Sequence, residues 1–254
     1  MSGSPPGRPD ALGPLVRLIV RGLLGRRRSL GVVLLAAAPV AVAAIMAVGG
    51  GLGDPADLAS EVFSTITLGL VIPLAALVFG TAALGTAIED GTIVYLLVKP
   101  VPRRTAVLAA MLVAGAATAL LAVAATLLPG LLLAGLTAPG LLVGMSAAAL
   151  LASLLYVVVF VTLSVITSRA LLVGLAYVLL WEGLATTVLA GTRILSIREY
   201  ATATMHALAG TTGTGGAQAG VDPPVALALS VVVVVVAFLL GAWRLDRFEV
   251  AEAG

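Results

Sequence analysis

Six apolar stretches dominate this sequence and restrict what it can fold into. A helix needs about 20 consecutive apolar residues to cross the hydrocarbon core of a bilayer. Only 10% of the 254 residues are charged, against about 25% in soluble domains. The sequence therefore predicts an all-α polytopic membrane protein with six transmembrane helices. They run near residues 30–48, 62–87, 106–130, 140–166, 170–190 and 225–243.

The basic residues predict how these helices are oriented. Cytoplasmic flanks are enriched in Lys and Arg, and six Arg precede the first apolar stretch. With the N-terminus inside, only Arg193 and Arg198 fall outside, so we expect both termini to be cytoplasmic. The early arginines, followed by Ala41-Val42-Ala43, would also fit an export signal with a small-residue cleavage site. The later apolar stretches hold the protein in the membrane in either case.

The N-terminal region divides into two parts. Residues 1–10 are rich in Gly, Ser and Pro, which predicts a disordered N-terminus. Residues 11–28 place apolar side chains at i, i+3, i+4 and i+7, with Arg17 and Arg21 on the opposite side. Such a helix lies in the membrane interface with its arginines near lipid phosphates. It is either an elbow helix that also contacts a cytoplasmic partner or only an anchor that fixes the topology.

Two features inside the spans bear on helix packing. Pro73 lies within the second apolar stretch, where it removes one backbone hydrogen bond and is expected to bend the helix. Gly140 and Gly144 stand four residues apart at the start of the fourth stretch. This small-xxx-small spacing favours close approach of another helix.

The segment between the fifth and sixth stretches, residues 191–224, is the longest that is not apolar. Its first half, 196–208, predicts one or two short helices capped by Ser196. A Gly/Thr/Ala-rich linker follows at 210–220. Short helices and a flexible tether at the outer end of a bundle indicate an extracellular gate or a re-entrant element, with an ordinary loop as the alternative.

Several kinds of chemistry are excluded by what the sequence lacks. Without Cys there can be no disulfide, thiolate metal site or Cys nucleophile. An ATP-binding loop needs Gly-Lys-Ser/Thr, but the only Lys, Lys99, stands between Val98 and Pro100. His206 is the only His, and a net charge of +2 gives no reason to expect nucleic acid. We therefore expect no enzymatic activity and no catalytic, cofactor or metal site in this chain. The preference for Arg over Lys, with heavy Ala and Gly usage, indicates a bacterial cell membrane.

Glu182, beside Trp181, is the one acid deep within a predicted span. A carboxylate at this depth is costly, so acids there are paired, protonated or exposed to a wet cavity. Glu182 is therefore either a gating or substrate-path residue, or a structural carboxyl hydrogen-bonded within the bundle.

The loop between the second and third spans has the composition of a docking element. Glu89 and Asp90 suit the positive end of a short helix, and Gly91-Thr92 can turn or cap it. Residues 93–98 supply an apolar face, and the Lys-Pro-Val-Pro that follows ends the helix. The segment either docks into a cleft of another protein or forms a plain capped turn.

Two segments carry a family resemblance. Residues 89–103, Glu-Asp-Gly-Thr-Ile through Lys-Pro-Val-Pro-Arg, resemble the coupling loop of ABC-2 type transporter permease subunits. Residues 177–183 (Tyr-Val-Leu-Leu-Trp-Glu-Gly) and 191–198 (Gly-Thr-Arg-Ile-Leu-Ser-Ile-Arg) resemble the fifth-span Trp-Glu and following Ser-x-Arg segment of bacterial members. The six-span layout agrees over nearly the whole chain. One departure is Ala109 and Ala110, where many relatives carry a Lys.

The resemblance implies that residues 30–243 form the transmembrane domain of an ATP-driven exporter, with 244–254 as a cytoplasmic tail. Two permease subunits, as a homodimer or pseudo-dimer, would enclose a central path. Two copies of a separate ATP-binding subunit, which hold ATP and Mg, would dock on the short cytoplasmic helix. The coupling residues would be Glu89, Asp90, Gly91 and Thr92, with Arg17 and Arg21 in support, and Glu182, Trp181, Ser196 and Arg198 would lie toward the outer gate and substrate path.

Two other functional classes remain as alternatives. A stand-alone secondary transporter or channel would use Glu182 as a proton or cation site, and it would predict internal repeats and further intramembrane charges. An intramembrane enzyme would need a catalytic pair at one depth of the bilayer. The sequence shows neither the repeats nor further intramembrane charges, and nothing in it singles out a Ser that would pair with His206.

Overall fold

A computed structural model of the protein describes residues 26–50, 53–89, 103–185, 190–210 and 220–247. Over these residues the regular structure is helical, with no strand. Two stretches, Phe63–Val71 and Tyr177–Ala185, are wound as π-helix, and Ala190–Leu195 forms a 3₁₀ turn. The α-helices are α1 (Arg26–Val48), α2 (Pro55–Val62), α3 (Ile72–Glu89), α4 (Arg103–Ala134), α5 (Pro139–Ile166), α6 (Ala170–Ala176), α7 (Ile197–Ala209) and α8 (Pro223–Arg247).

Five helical stretches are long and apolar enough, by length and composition, to cross a membrane. This confirms the all-helical, membrane-type architecture. In place of the predicted fifth span the described residues contain a shorter apolar helix, Ala170–Gly183, and residues 186–189 lie outside the described part of the chain. The five long stretches are Leu30–Val48, Pro55–Ala83, Val107–Ala134, Pro139–Ile166 and Pro223–Arg244.

The ends of the helices follow ordinary capping chemistry. The Asp54 side chain caps α2 by accepting a hydrogen bond from the Ala56 N–H at 2.8 Å, and prolines open α2, α5 and α8. A proline suits the first turn because its missing N–H would have no partner there. Gly135 and Gly210 follow α4 and α7 with φ of 59° and 66°, the left-handed conformation that glycine tolerates best.

Helix α5 is the centre of the bundle. It packs against α3, α4, α7 and α8, and it contributes the fully buried side chains of Met145, Leu155, Tyr156 and Phe160. The peripheral helices differ, because only 17% of the apolar window of α1 and 28% of that of α8 is buried. Their exposed Leu and Val side chains would be unfavourable in water but not in lipid, whose tails are as apolar as Leu.

Close contact between α5 and α7 depends on a small residue. A Cβ on Gly144 would stand 2.6 Å from the carbonyl oxygen of Met205, and one on Gly140 would stand 3.6 Å from that of Ala209. Both glycines therefore face α7. The predicted close approach at Gly140 and Gly144 is found, and its partner is the short helix α7.

The first π segment, Phe63–Val71, ends just before Pro73. The Ile72 N–H donates a hydrogen bond to the Thr67 carbonyl five residues earlier, which is the spacing of a π-helix. A proline ring clashes with the carbonyl four residues back, which for Pro73 is that of Gly69. The bend predicted at Pro73 stays a prediction, and the structure shows π winding over the residues that precede the proline.

Several predicted elements lie outside the described residues. These are the disordered N-terminus (1–10), residues 11–25 of the elbow helix, and residues 90–102. Residues 26–28, predicted to end the elbow helix, are helical and continuous with the first span.

Candidate functional site

Glu182 lies in the second π segment, Tyr177–Ala185, and its side chain is only 3% exposed. A π-helix brings residues five apart into register. The Tyr177 hydroxyl accordingly donates a hydrogen bond to Glu182 Oε1 at 3.3 Å. Trp181, the neighbouring candidate, is half-buried. Single π turns within helices are frequent at functional sites, so the π winding makes Glu182 a candidate functional residue.

The Glu182 carboxylate binds the N-terminus of α7. Ser196 Oγ donates to Glu182 Oε2 at 2.6 Å, and the Ile197 N–H donates to Oε1 at 2.9 Å. Ser196 is also the N-cap residue of α7, because its Oγ accepts a hydrogen bond from the Glu199 N–H at 3.3 Å. The positive end of the α7 dipole favours a carboxylate at this place. Glu182 thus joins the apolar stretch 170–185 to the first turn of α7.

Tyr156 of α5 completes the cluster. Its side chain is fully buried and its ring stacks on Phe160, with centroids 6.0 Å apart. The hydroxyl lies near Glu182, and no hydrogen-bond partner with ordinary geometry is found for it among the described residues. A buried tyrosine hydroxyl usually finds a partner, so this unbonded donor is unusual.

Arg198 connects α7 to the first π segment. Its guanidinium nitrogen Nη1 lies 3.6 Å from the position that a Cβ on Gly69 would occupy, and the side chain is half-buried. Any side chain at Gly69 would point toward the Arg198 guanidinium. The two π segments therefore both contact the first turn of α7. The second π segment contacts it through Glu182, and the first through Gly69.

Two further contacts hold the first turns of α7. The Tyr200 hydroxyl donates to the Ile194 carbonyl at 2.5 Å, and Glu199 Oε2 accepts the Gly220 N–H at 2.8 Å. Burial raises the pKa of the Tyr200 phenol above its ordinary value, and the Glu182 carboxylate adds to the effect. Tyr200 therefore stays a neutral donor at physiological pH. We call Glu182, Tyr156, Tyr177, Ser196 and Ile197 the Glu182 cluster.

The structure brings together some of the predicted site residues. Glu182 and Ser196 are in direct contact, and the predicted helix capped by Ser196 is confirmed as α7. The hydrogen bonds of Glu182 fit the structural alternative given for it above. No group of three or more His, Cys, Asp or Glu that could hold a metal occurs among the described residues.

Most of the predicted coupling residues lie outside the part of the chain that the structure describes. Glu89 is the last residue of α3. Asp90, Gly91, Thr92, Arg17 and Arg21 lie outside the described residues.

Sequence reasoning missed Tyr156 and Tyr177. One signal was available, since the chain has only four Tyr, and three of them (Tyr156, Tyr177 and Tyr200) converge near Glu182. The chain matches no protein-family model, and no curated protein is detectably similar to it. Functional assignment therefore rests on the residues and their geometry.

Proposed function

We propose that this chain is the transmembrane permease subunit of an ATP-driven exporter of the ABC-2 type. It would form the substrate path and couple to separate ATP-binding subunits. One observation carries the proposal. The two segments that resemble the fifth-span Trp-Glu and the following Ser-x-Arg of this family are joined through Ser196 and Glu182, whose oxygens lie 2.6 Å apart. The two parts of this resemblance are thus in direct contact.

The proposed layout has six spans, with both termini on the cytoplasmic side of a bacterial cell membrane. In it, α7 lies between the fifth and sixth spans at the outer end of the bundle. Helix α7 does not cross the membrane, yet it buries Tyr200, Ala201, Ala203 and Met205. A short helix packed into the outer end of a bundle is suited to act as a gate, because its displacement uncovers a path without unfolding a span.

Energy for this movement would come from partners. Two ATP-binding subunits, holding ATP and Mg, would dock on the helix proposed to begin near Glu89, and two permease subunits would enclose the path. In this scheme the chain itself hydrolyses nothing. Movement at the cytoplasmic loop between α3 and α4 would reach the outer end through α5, which packs against both of these helices and α7.

The alternative of a stand-alone transporter that binds a cation at Glu182 has less support. A cation needs free oxygen lone pairs, whereas Glu182 accepts hydrogen bonds from Ser196, Ile197 and Tyr177. An ionised carboxylate has about four acceptor sites, so the surrounding donors occupy most of them. The arrangement favours a group that holds a helix end.

Co-purification tests the proposal. The chain is expressed with any ATP-binding protein found to be encoded beside it, and the charge reversal Glu89→Arg/Asp90→Arg is compared with the wild type. The matched control is Asp57→Arg/Glu61→Arg, which makes the same charge change at two exposed acids of α2 on the proposed outer side. We expect wild type and control to retain an active ATPase subunit and the coupling variant to lose it.

Two results would contradict the proposal. In one, the wild-type chain recruits no ATP-binding subunit at all. In the other, the two double variants retain the subunit equally well.

A further inference from the structure

A groove between α1 and α4 has no part in the Glu182 cluster. Side chains within residues 33–44 of α1 and 112–128 of α4 form its walls, Phe79 of α3 also lines it, and its volume is about 1210 Å³. Every described side chain that lines it is apolar. We propose that this α1–α4 groove binds the acyl chains of a bilayer phospholipid, which complete the packing of α1. The inference goes beyond the proposed function and does not depend on transport.

The groove lies at the depth of the hydrocarbon core. Its walls fall within two of the membrane-length helical stretches, Leu30–Val48 and Val107–Ala134. At 1.5 Å per residue, the α1 wall is about 16 Å long and the α4 wall about 24 Å. One leaflet of a hydrocarbon core about 30 Å thick extends for about 15 Å. An acyl chain of one leaflet can therefore lie along nearly the whole α1 wall.

The groove has a closed base and an open rim. Phe79 is buried, whereas Val33 and Leu120 are 60% and 75% exposed. Thr67 Oγ1 donates to the Ala125 carbonyl at 3.2 Å, which fixes the α4 wall to the first π segment. A chain that enters from the rim thus contacts protein on three sides, whereas a chain against the outer face of a single helix contacts protein on one side.

The composition of the walls explains why the space needs an occupant. Half of the lining side chains are alanines, among them Ala37 and Ala41 of α1 and Ala116 and Ala124 of α4. Small residues let two membrane helices approach closely, because packing and not the hydrophobic effect holds helices together in lipid. Here α1 and α4 pack against each other, yet these alanines face the groove. An empty groove would forfeit the dispersion contacts of its lining, so hydrocarbon that fills it stabilises the arrangement.

The dimensions and chemistry of the groove favour acyl chains over a protein segment. Its volume divided by the length of the α4 wall gives a mean cross-section of roughly 50 Å². A helix with its side chains is about 10–12 Å across, or roughly 80–110 Å², so a span of a second copy would remain partly outside. An extended peptide would bring backbone N–H and C=O groups that find no polar partner in the lining. A hydrocarbon chain needs no such partner, and its headgroup stays at the membrane surface.

Helix α1 is the part of the bundle that such a lipid would support. Only 17% of its apolar window is buried, and it packs mainly against α4. Acyl chains lying between α1 and α4 add a second set of contacts along the same pair of helices. We therefore expect the lipid to remain bound when the protein is extracted in a mild detergent.

Photolabelling tests the proposal on the full chain, purified in a mild detergent. The probe is a phosphatidylglycerol that carries a diazirine in one acyl chain, and the labelled peptides are identified by mass spectrometry. Labelling of α1 and α4 should saturate as the probe is titrated, because a site has a limited capacity. Labelling of α8, which is also largely unburied, should be weaker and should rise without saturation. This comparison uses the unmodified chain and requires no variant to fold.

Two variants fill the groove from opposite walls. Ala37→Phe and Ala116→Phe each place a phenyl group in the space that the acyl chain would occupy. Either should lower the labelling of α1 and α4 at half-saturating probe about 10-fold, the effect of overpacking an occupied site. The matched control is Ala228→Phe, which adds the same group at an exposed position of α8 that does not line the groove. The control should label as the parent does.

Three results would overturn the proposal. Labelling of α1 and α4 that never saturates, or that Ala37→Phe and Ala116→Phe leave unchanged, would show that lipid is only a solvent there. If Ala116→Cys, in a chain without other Cys, joins two copies on oxidation and the probe fails to label the groove, a second copy occupies it. If an apolar compound other than phospholipid is extracted from the purified protein and excludes the probe, the groove holds that compound instead. None of these results concerns recruitment of an ATP-binding subunit, so the two proposals fail independently.

Discussion

The contact between α5 and α7 gives a prediction whose size can be worked from the structure. In Gly144→Ala the new methyl carbon would stand 2.6 Å from the Met205 carbonyl oxygen and 3.2 Å from the Ala209 nitrogen. Both are backbone atoms, so no side chain can rotate away. The first distance is 0.8 Å below the 3.4 Å at which ordinary contact begins. The methyl group therefore pushes α7 away from α5.

Overpacking of this kind costs about 1–3 kcal/mol. Replacing Gly by Ala inside a helix ordinarily gains up to about 1 kcal/mol in helix propensity. The gain is measured separately by Gly115→Ala in α4, because a Cβ at Gly115 meets nothing within 4 Å. The difference between the two variants isolates the steric cost, which we expect to be about 1–3 kcal/mol.

The free energy of unfolding can be measured by titration with SDS in mixed micelles, followed through the fluorescence of Trp181 and Trp243. Gly144→Ala should unfold at a lower fraction of SDS than Gly115→Ala. A Cys placed at the buried position of Ala203 should also react faster with a maleimide in Gly144→Ala, because α7 packs less closely on α5. If Gly144→Ala proves as stable as Gly115→Ala, the close packing of α5 on α7 is not a feature of the protein.

The hydrogen bonds give two further predictions in the same assay. Ser196→Ala removes both the cap of α7 and a donor to Glu182, so it should cost roughly 2–4 kcal/mol; a loss below that of an ordinary cap would refute the bond to Glu182. Thr162→Val removes a bond across helices, since Thr162 Oγ1 donates to the Ala237 carbonyl at 2.8 Å, and it should cost about 0.6 kcal/mol. Thr118→Val loses only a bond within its own helix and should be nearly neutral, so equal losses would contradict the interhelical contact.

The spans were predictable because their signal is local. A long apolar run must become a helix in lipid, where each backbone group can find a partner only within its own segment. The described helices accordingly cover five of the six predicted stretches. The ends shift where the sequence carries a local cap that apolarity alone ignores, as at Asp54-Pro55, which begins the second span ahead of the predicted residue 62.

The Glu182 cluster was predictable only in part. Ser196 was identified because an N-cap is a local pattern, and Glu182 because an acid in an apolar run is conspicuous. Their bond joins residues 14 positions apart in the sequence, and no periodicity encodes such a contact. Tyr156 comes from a different helix altogether, so its place beside Glu182 follows from tertiary packing alone.

Helix α7 gives a physical reason for the acid in the apolar stretch 170–185. A helix leaves its first N–H groups without partners inside the helix, and water normally satisfies them. Helix α7 begins at a buried place, since Ser196 and Ile197 are 1% and 3% exposed, so the protein itself must supply the acceptors. Ser196 Oγ accepts the Glu199 N–H and Glu182 accepts the Ile197 N–H, and a carboxylate suits the positive end of the helix better than a neutral group does. Helix α7 can therefore begin inside the bundle because the preceding apolar helix carries an acid beside its first turn.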